Sequence, residues 1–202
     1  MCVATAFGFG RDGDPHGVTW TYAFFTIALA AASLKLDRRS IVWAASTMLL
    51  VALVQGIVFR YGDAWQLTAP WTTAVMLHAT IATAVAAIAA YSARLRAPNA
   101  RRAWCTSAEI VSIVAVAALA FQVISLPWAI TATYFAWLAV VWLALAILVR
   151  EPVLFTAFQV ALASSLVCFV TTFLTDRVWY LVADFPWLDP WFLQTQGIAL
   201  AG

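Results

Sequence analysis

Apolar positions in this chain come in long unbroken runs, and the charged residues punctuate them. The run 19–34 is followed by the turn KLDRRS and then by the run 41–59. RYGDAWQLTAP leads into 71–93, and RLRAPNARR closes that run. The stretch 108–149 is 42 residues long, about twice the roughly 20 apolar residues that one membrane crossing needs. It must fold back once, and SLPWA is its only internal punctuation: Pro127 breaks the hydrogen-bond ladder and Trp128 suits an interface. REP at Arg150–Pro152 makes the next turn, and 153–174 is the sixth run. The first run, at 16 residues, is the shortest and extends to Val18 and Lys35 by snorkelling.

Lipid offers no partner to backbone N–H and C=O groups, so only helices and closed barrels span it. Barrel strands alternate apolar and polar residues over about 10 positions. Runs such as IVWAASTMLLVALVQGIVF are apolar on both faces for much longer. The pattern therefore predicts an all-α fold, a polytopic transmembrane helical bundle with six spans in three hairpins over 19–174. An extracytoplasmic tail occupies 1–18, and an aromatic, acidic extracytoplasmic loop occupies 175–189. The segment 190–202 reads as the start of a seventh span, with Asp189 as N-cap, Pro190 at the first helical position and Trp191 at the interface. Its 13 residues make about 20 Å of helix against a hydrocarbon core of roughly 30 Å, so a fragment of a longer chain, stopped inside that span, is expected.

Composition agrees. Charged residues are 10% of the 202 and hydrophobic ones 65%, against about 25% charged for a soluble domain. The net charge of +2 implies no nucleic-acid partner, but the placement of the charges sets an orientation. Eight of the eleven basic residues lie in the turns after runs one, three and five: Lys35, Arg38, Arg39, Arg94, Arg96, Arg101, Arg102 and Arg150. Arg11, Arg60 and Arg177 lie on the other side, with Asp12, Asp14, Asp63, Asp176, Asp184 and Asp189 and the aromatics Trp65, Trp179, Tyr180 and Trp187. Positive-inside bias puts the basic turns in the cytoplasm and the N-terminus, with Cys2 and His16, outside. Each hairpin is also entered through a similar segment, VTWTYAFF, APWTTAV or TATYFAWL, which fits either a tandem repeat or convergence on interfacial residues.

Candidate chemistry is sparse. His78 lies about 10 Å into the third run by helical rise, and ionisable groups inside a membrane are costly. It suits a proton, metal or ligand role, or it stays neutral and hydrogen-bonds a neighbouring carbonyl. Gln55, Gln122 and Gln159 are intramembrane amides. Gln55, His78 and Gln122 are the candidate intramembrane polar site, either converging on an outward-facing cavity or serving separately as helix-packing bonds of about 0.6 kcal/mol each. Ala82, Ala86 and Ala90 make a small-residue seam on the third span. Glu109 is read as a favourable charge at a helix N-terminus, with a coupling-ion role as the alternative. Cys2, Cys105 and Cys168 show no metal or redox spacing. GFGRDGDPHG lacks the strand and the lysine of a phosphate loop and reads as a tail. HExxH, GxSxG and CxxC are absent, so no catalytic residue, cofactor or metal site is predicted.

The short turns LKLDRRS and LVREPVLF between Ala/Leu/Trp-rich helices resemble those of large predicted bacterial multi-pass membrane proteins of unknown function, built from tandem hairpins. That resemblance implies a cytoplasmic-membrane protein with no assigned activity and further spans. Ten arginines against one lysine suit a bacterium with a GC-rich genome. The partners expected are the lipid bilayer and either the remaining spans of a longer chain or partner helices. Three functions follow: a scaffold without an active site, a transporter or channel element with an outer polar cavity, or a membrane-embedded glycosyl- or acyl-transferase using Asp63, Asp176 or Asp184 at the outer face.

Overall fold

A computed structural model describes residues 15–92, 97–122, 125–182 and 184–201, with the backbone alone for Pro15 and His16. Every regular element among these residues is helical. Helix α1 is Pro15–Leu36, and α2 is Arg39–Leu53, which continues as a π-helix over Val54–Tyr61. Then come α3 (Pro70–Tyr91), α4 (Pro98–Gln122), α5 (Trp128–Val149) and α6 (Pro152–Leu174). A short α7 (Val178–Val182) and a 3-10 turn (Pro186–Leu188) precede α8 (Pro190–Ala201). Six stretches are long and apolar enough to cross a membrane: Gly17–Leu36, Arg39–Tyr61, Pro70–Tyr91, Pro98–Gln122, Trp128–Val149 and Pro152–Leu174.

Four helix starts follow one rule. Pro70, Pro98, Pro152 and Pro190 each open a helix, where the missing N–H is no loss and the fixed φ fits. In the tight turns the backbone goes left-handed at Asp37 (φ 50°) and Arg150 (φ 63°). After Arg150, Glu151 is extended, as a residue before proline must be, and α6 starts at once. Asp189 caps α8 as expected: its Oδ1 accepts the Trp191 N–H at 2.8 Å.

Two sequence expectations need correction. RLRAPNARR is not turn throughout, because α4 begins at Pro98, ten residues before the run 108–149. Arg101 and Arg102 therefore lie inside the start of α4, where the helix dipole disfavours positive charge. The offset comes from Asp37, in the α1–α2 turn. Its Oδ1 accepts the Ala100 N–H at 2.8 Å and its Oδ2 accepts the Asn99 amide at 2.9 Å. A carboxylate from another turn thus caps α4. Glu109, in consequence, is no helix-terminal charge; it is the twelfth residue of α4, half-buried and about 16 Å along it.

The chain divides into two compact units, Met1–Ala118 with Ala144–Arg150, and Leu119–Leu143 with Glu151–Gly202. In the first, buried side chains follow heptad-like spacing. They are Val42, Ala45, Leu49 and Ala52 on α2; Ala79, Ala82, Ala86 and Ala89 on α3; and Ala100, Trp104, Ser107, Ala108, Ser112 and Ala115 on α4. The α3 seam keeps Ala82 and Ala86 as expected but continues through Ala89, with Ala90 half-buried, because alternating steps of three and four track a neighbouring helix better than steps of four. Val18 and Tyr22 of α1 pack on Ala52, Met48 and Val51 of α2. The π-helix buries three consecutive residues, Gln55, Gly56 and Ile57, against α1 and α3.

In the second unit, α6 buries a single narrow stripe: Ala161, Ser165, Cys168, Thr171 and Leu174. Ser165 Oγ donates to the Ala132 carbonyl of α5 at 2.9 Å. Gln196 of α8 donates to Thr171 Oγ1 at 3.0 Å and to the Val167 carbonyl at 3.2 Å.

Candidate functional site: a buried serine–histidine–serine cluster

His78 is completely buried in α3. Its Nε2 stands 3.0 Å from Ser46 Oγ and 3.1 Å from the Ser46 carbonyl oxygen, both on α2. Ser46 Oγ is in turn 2.6 Å from Ser107 Oγ on α4, so three helices meet at one polar knot. Ser46 is seven residues from the start of α2, which sets the knot about 10 Å along that helix. Small residues make the approach possible: Ala82 and Ala86, one and two turns along α3 from His78, are fully buried.

A serine hydroxyl 3.0 Å from an imidazole nitrogen has the spacing of a nucleophile and its general base. The second contact rules against that chemistry. A carbonyl oxygen can only accept, so the bond to Ser46 O requires a proton on Nε2. Nε2 is then a donor and cannot take the Ser46 proton. In this tautomer Ser46 Oγ accepts from His78, and either hydroxyl can donate in the Ser46–Ser107 bond. The other ring nitrogen, Nδ1, is buried without a hydrogen-bond partner, so it is not oriented by the carboxylate that a catalytic histidine uses.

Gln55, also completely buried, sits on the π-helix in the first unit with His78. The knot's hydrogen bonds run between His78 and Ser46 and between Ser46 and Ser107. Gln122 is half-buried at the end of α4, within the second unit, and its backbone carbonyl accepts from Ser125 N, Leu126 N and Ser125 Oγ to close the SLPWA turn. Gln159 is exposed on α6. Cys105 and Cys168 are buried free thiols. Cys2, Arg94, Arg96 and GFGRDGD fall outside the described residues. Asp63, Asp176 and Asp184 are exposed, and Asp189 is engaged as the α8 cap. Among the described residues no group of three or more His, Cys, Asp or Glu side chains is placed to hold a metal ion.

Sequence reasoning passed over Ser33, Ser46, Trp104, Ser107 and Asp37. Trp104 is fully buried, and its indole N–H donates to Ser33 Oγ of α1 at 3.2 Å. The available signal was position: Ser46 and Ser107 adjoin the alanines of their own buried stripes. What these groups can do chemically is join helices, since Trp104 bonds to Ser33, His78 to Ser46, Ser46 to Ser107 and Asp37 to Ala100, each across to another helix or turn. Comparison with protein-family models, with curated proteins and with solved structures gives no match.

Proposed function

We propose that the chain is a scaffold-type, multi-pass integral membrane protein, with six spans, an extracytoplasmic N-terminus and no active site of its own. One observation carries the reading: the completely buried histidine is held in the donor tautomer by a carbonyl and so serves as a clasp between helices. The asymmetry of basic turns supports the orientation, and the arginine- and alanine-rich composition supports a bacterial cytoplasmic membrane. Two measurements test the proposal. Reporter fusions after Arg39 and after Asp63 are expected to report cytoplasm and exterior; the reverse pattern overturns the orientation. Ser46 in the intact chain is expected to resist a fluorophosphonate probe. Labelling at Ser46 that disappears in His78→Gln would establish a working nucleophile and end the scaffold reading.

A second reading, the transporter element, is favoured by Glu109. A half-buried carboxylate well inside an apolar helix is the kind of group that marks ion or proton pathways. It predicts that a carbodiimide labels Glu109 in intact membranes faster at low pH. Equal labelling at every pH removes it.

A further inference from the structure

The segment between α6 and α8 turns its apolar side chains outward. Val178, Leu181, Val182, Phe185 and Leu188 are each between 72% and 77% exposed. This is not disorder of a polar loop but a built arrangement. On the single turn of α7, residues 178, 181 and 182 share one side, at spacings of three and four. The opposite side carries Trp179 and Tyr180, both half-buried. Tyr180 lies against Trp187 (ring centroids 6.0 Å apart) and Phe192 (6.3 Å), Trp187 meets Phe192 at 5.3 Å, and Trp128 closes on Trp187 at 5.2 Å. An aromatic cluster therefore fastens the segment to the ends of α5 and α8, and an apolar plate is what remains facing away.

We infer that this plate is seated in the extracytoplasmic leaflet of the protein's own bilayer, at the boundary of headgroups and acyl chains, as a lateral anchor between α6 and α8. The inference rests on the membrane-spanning reading above. Three features select lipid as the occupant. The plate lies in sequence between exposed apolar residues of α6, Phe169 and Phe173 in its last turns, and of α8, Trp191 and Leu193. Its rim is charged: Asp176, Arg177 and Asp184 are exposed within a few residues of the plate, so its edge stays wet and the plate lies shallow. Trp187 and Trp191, 43% and 66% exposed, are the amphipathic residues that collect at that depth. Left in water, the same side chains would form an apolar patch of the kind monomeric proteins rarely expose. An interfacial segment buries its apolar face about 5–10 Å into the boundary, a depth that a single turn and one loop can reach.

The test uses the full chain with Cys2, Cys105 and Cys168 replaced by serine, reconstituted in phosphatidylcholine–phosphatidylglycerol vesicles. Nitroxide labels are placed singly at Phe169→Cys, Leu181→Cys, Asp184→Cys and Phe185→Cys, and relaxation by oxygen is compared with relaxation by a water-soluble nickel chelate. At 181 and 185 oxygen is expected to dominate, less strongly than at 169, while the nickel chelate dominates at 184. If 169 reports lipid but 181 and 185 report water, the anchor is refuted while the spans survive. If 181 and 185 are shielded from both agents, protein covers the plate and lipid is the wrong occupant. If 169 itself reports water, the spanning reading fails first.

Discussion

The Asp37 cap gives the most discriminating test of how the first unit is held. Asp37 supplies two charge-assisted bonds to the start of α4, at 2.8 Å and 2.9 Å, and does so from a left-handed backbone position. Asp37→Asn keeps an acceptor for the Ala100 N–H and tolerates that backbone, but loses the charge facing the helix terminus, which contributes about 0.3–1 kcal/mol. Asp37→Gly suits the backbone and removes both acceptors, at about 0.5–2 kcal/mol by the usual cost of a lost N-cap. Asp37→Ala removes the acceptors and also places an ordinary side chain at positive φ, adding about 1 kcal/mol. The expected order of stability is therefore wild type, Asn, Gly, Ala. Reversible SDS unfolding of the purified chain in mixed micelles, followed by helical circular dichroism, reads it. The wild-type to Ala difference should amount to about 2 kcal/mol, up to about thirtyfold in the unfolding equilibrium. A Gly variant as stable as wild type would refute the cap, since it would mean the carboxylate adds nothing once the turn is relaxed. Raised salt should compress the wild-type to Asn gap and leave the Gly to Ala gap unchanged, because only the first is electrostatic.

Other perturbations follow from the same geometry. Gly62→Ala should unwind the end of the π-helix, because a β-carbon there would stand 2.6 Å from the Ile57 carbonyl oxygen; a loss of about 1–3 kcal/mol in the same assay is expected, and a neutral result removes the close approach. Ser46→Ala should cost about 0.6 kcal/mol, because His78 keeps its carbonyl acceptor. His78→Ala should cost about 2–5 kcal/mol by opening a cavity, and a smaller loss there than in Ser46→Ala would contradict the clasp. Gln196→Leu and Thr171→Val should each weaken the α6–α8 pair, and their double-mutant cycle should show a positive coupling that an additive result would deny.

How far the fold was legible depends on what each signal measures. Uninterrupted apolar runs report helices directly, so the stretches from 41, 71 and 153 begin within two residues of α2, α3 and α6. SLPWA separates α4 from α5 where Pro127 removes a donor, and Asp189 and Pro190 open α8 as capping rules require. The failure at α4 has the same root. Hydropathy marks where a helix becomes apolar, and Asn99, Arg101 and Arg102 are helical without being apolar. Their helicity is secured by Asp37, more than sixty positions away, which no local pattern contains. Likewise α7 is a single turn whose order comes from aromatic contacts made by its neighbours in space.

The polar knot shows the limit most clearly. His78 is recognisable alone, because an imidazole in an apolar run must find a partner. The sequence leaves it two settings, a cavity shared with Gln55 and Gln122 or a hydrogen bond to a neighbouring carbonyl. Yet His78, Ala82 and Ala86 follow one another at intervals of four along α3, so the histidine lies on the small-residue seam itself. A seam of alanines brings the next helix's backbone close, and the nearest acceptor there is a carbonyl, with a short hydroxyl beside it. A long glutamine side chain would force those helices apart. Reading the seam and the histidine as one feature selects the carbonyl bond between helices over the cavity. The difference is one of chemistry as well as place, since a carbonyl partner puts the proton on Nε2 and denies that nitrogen the role of base toward Ser46.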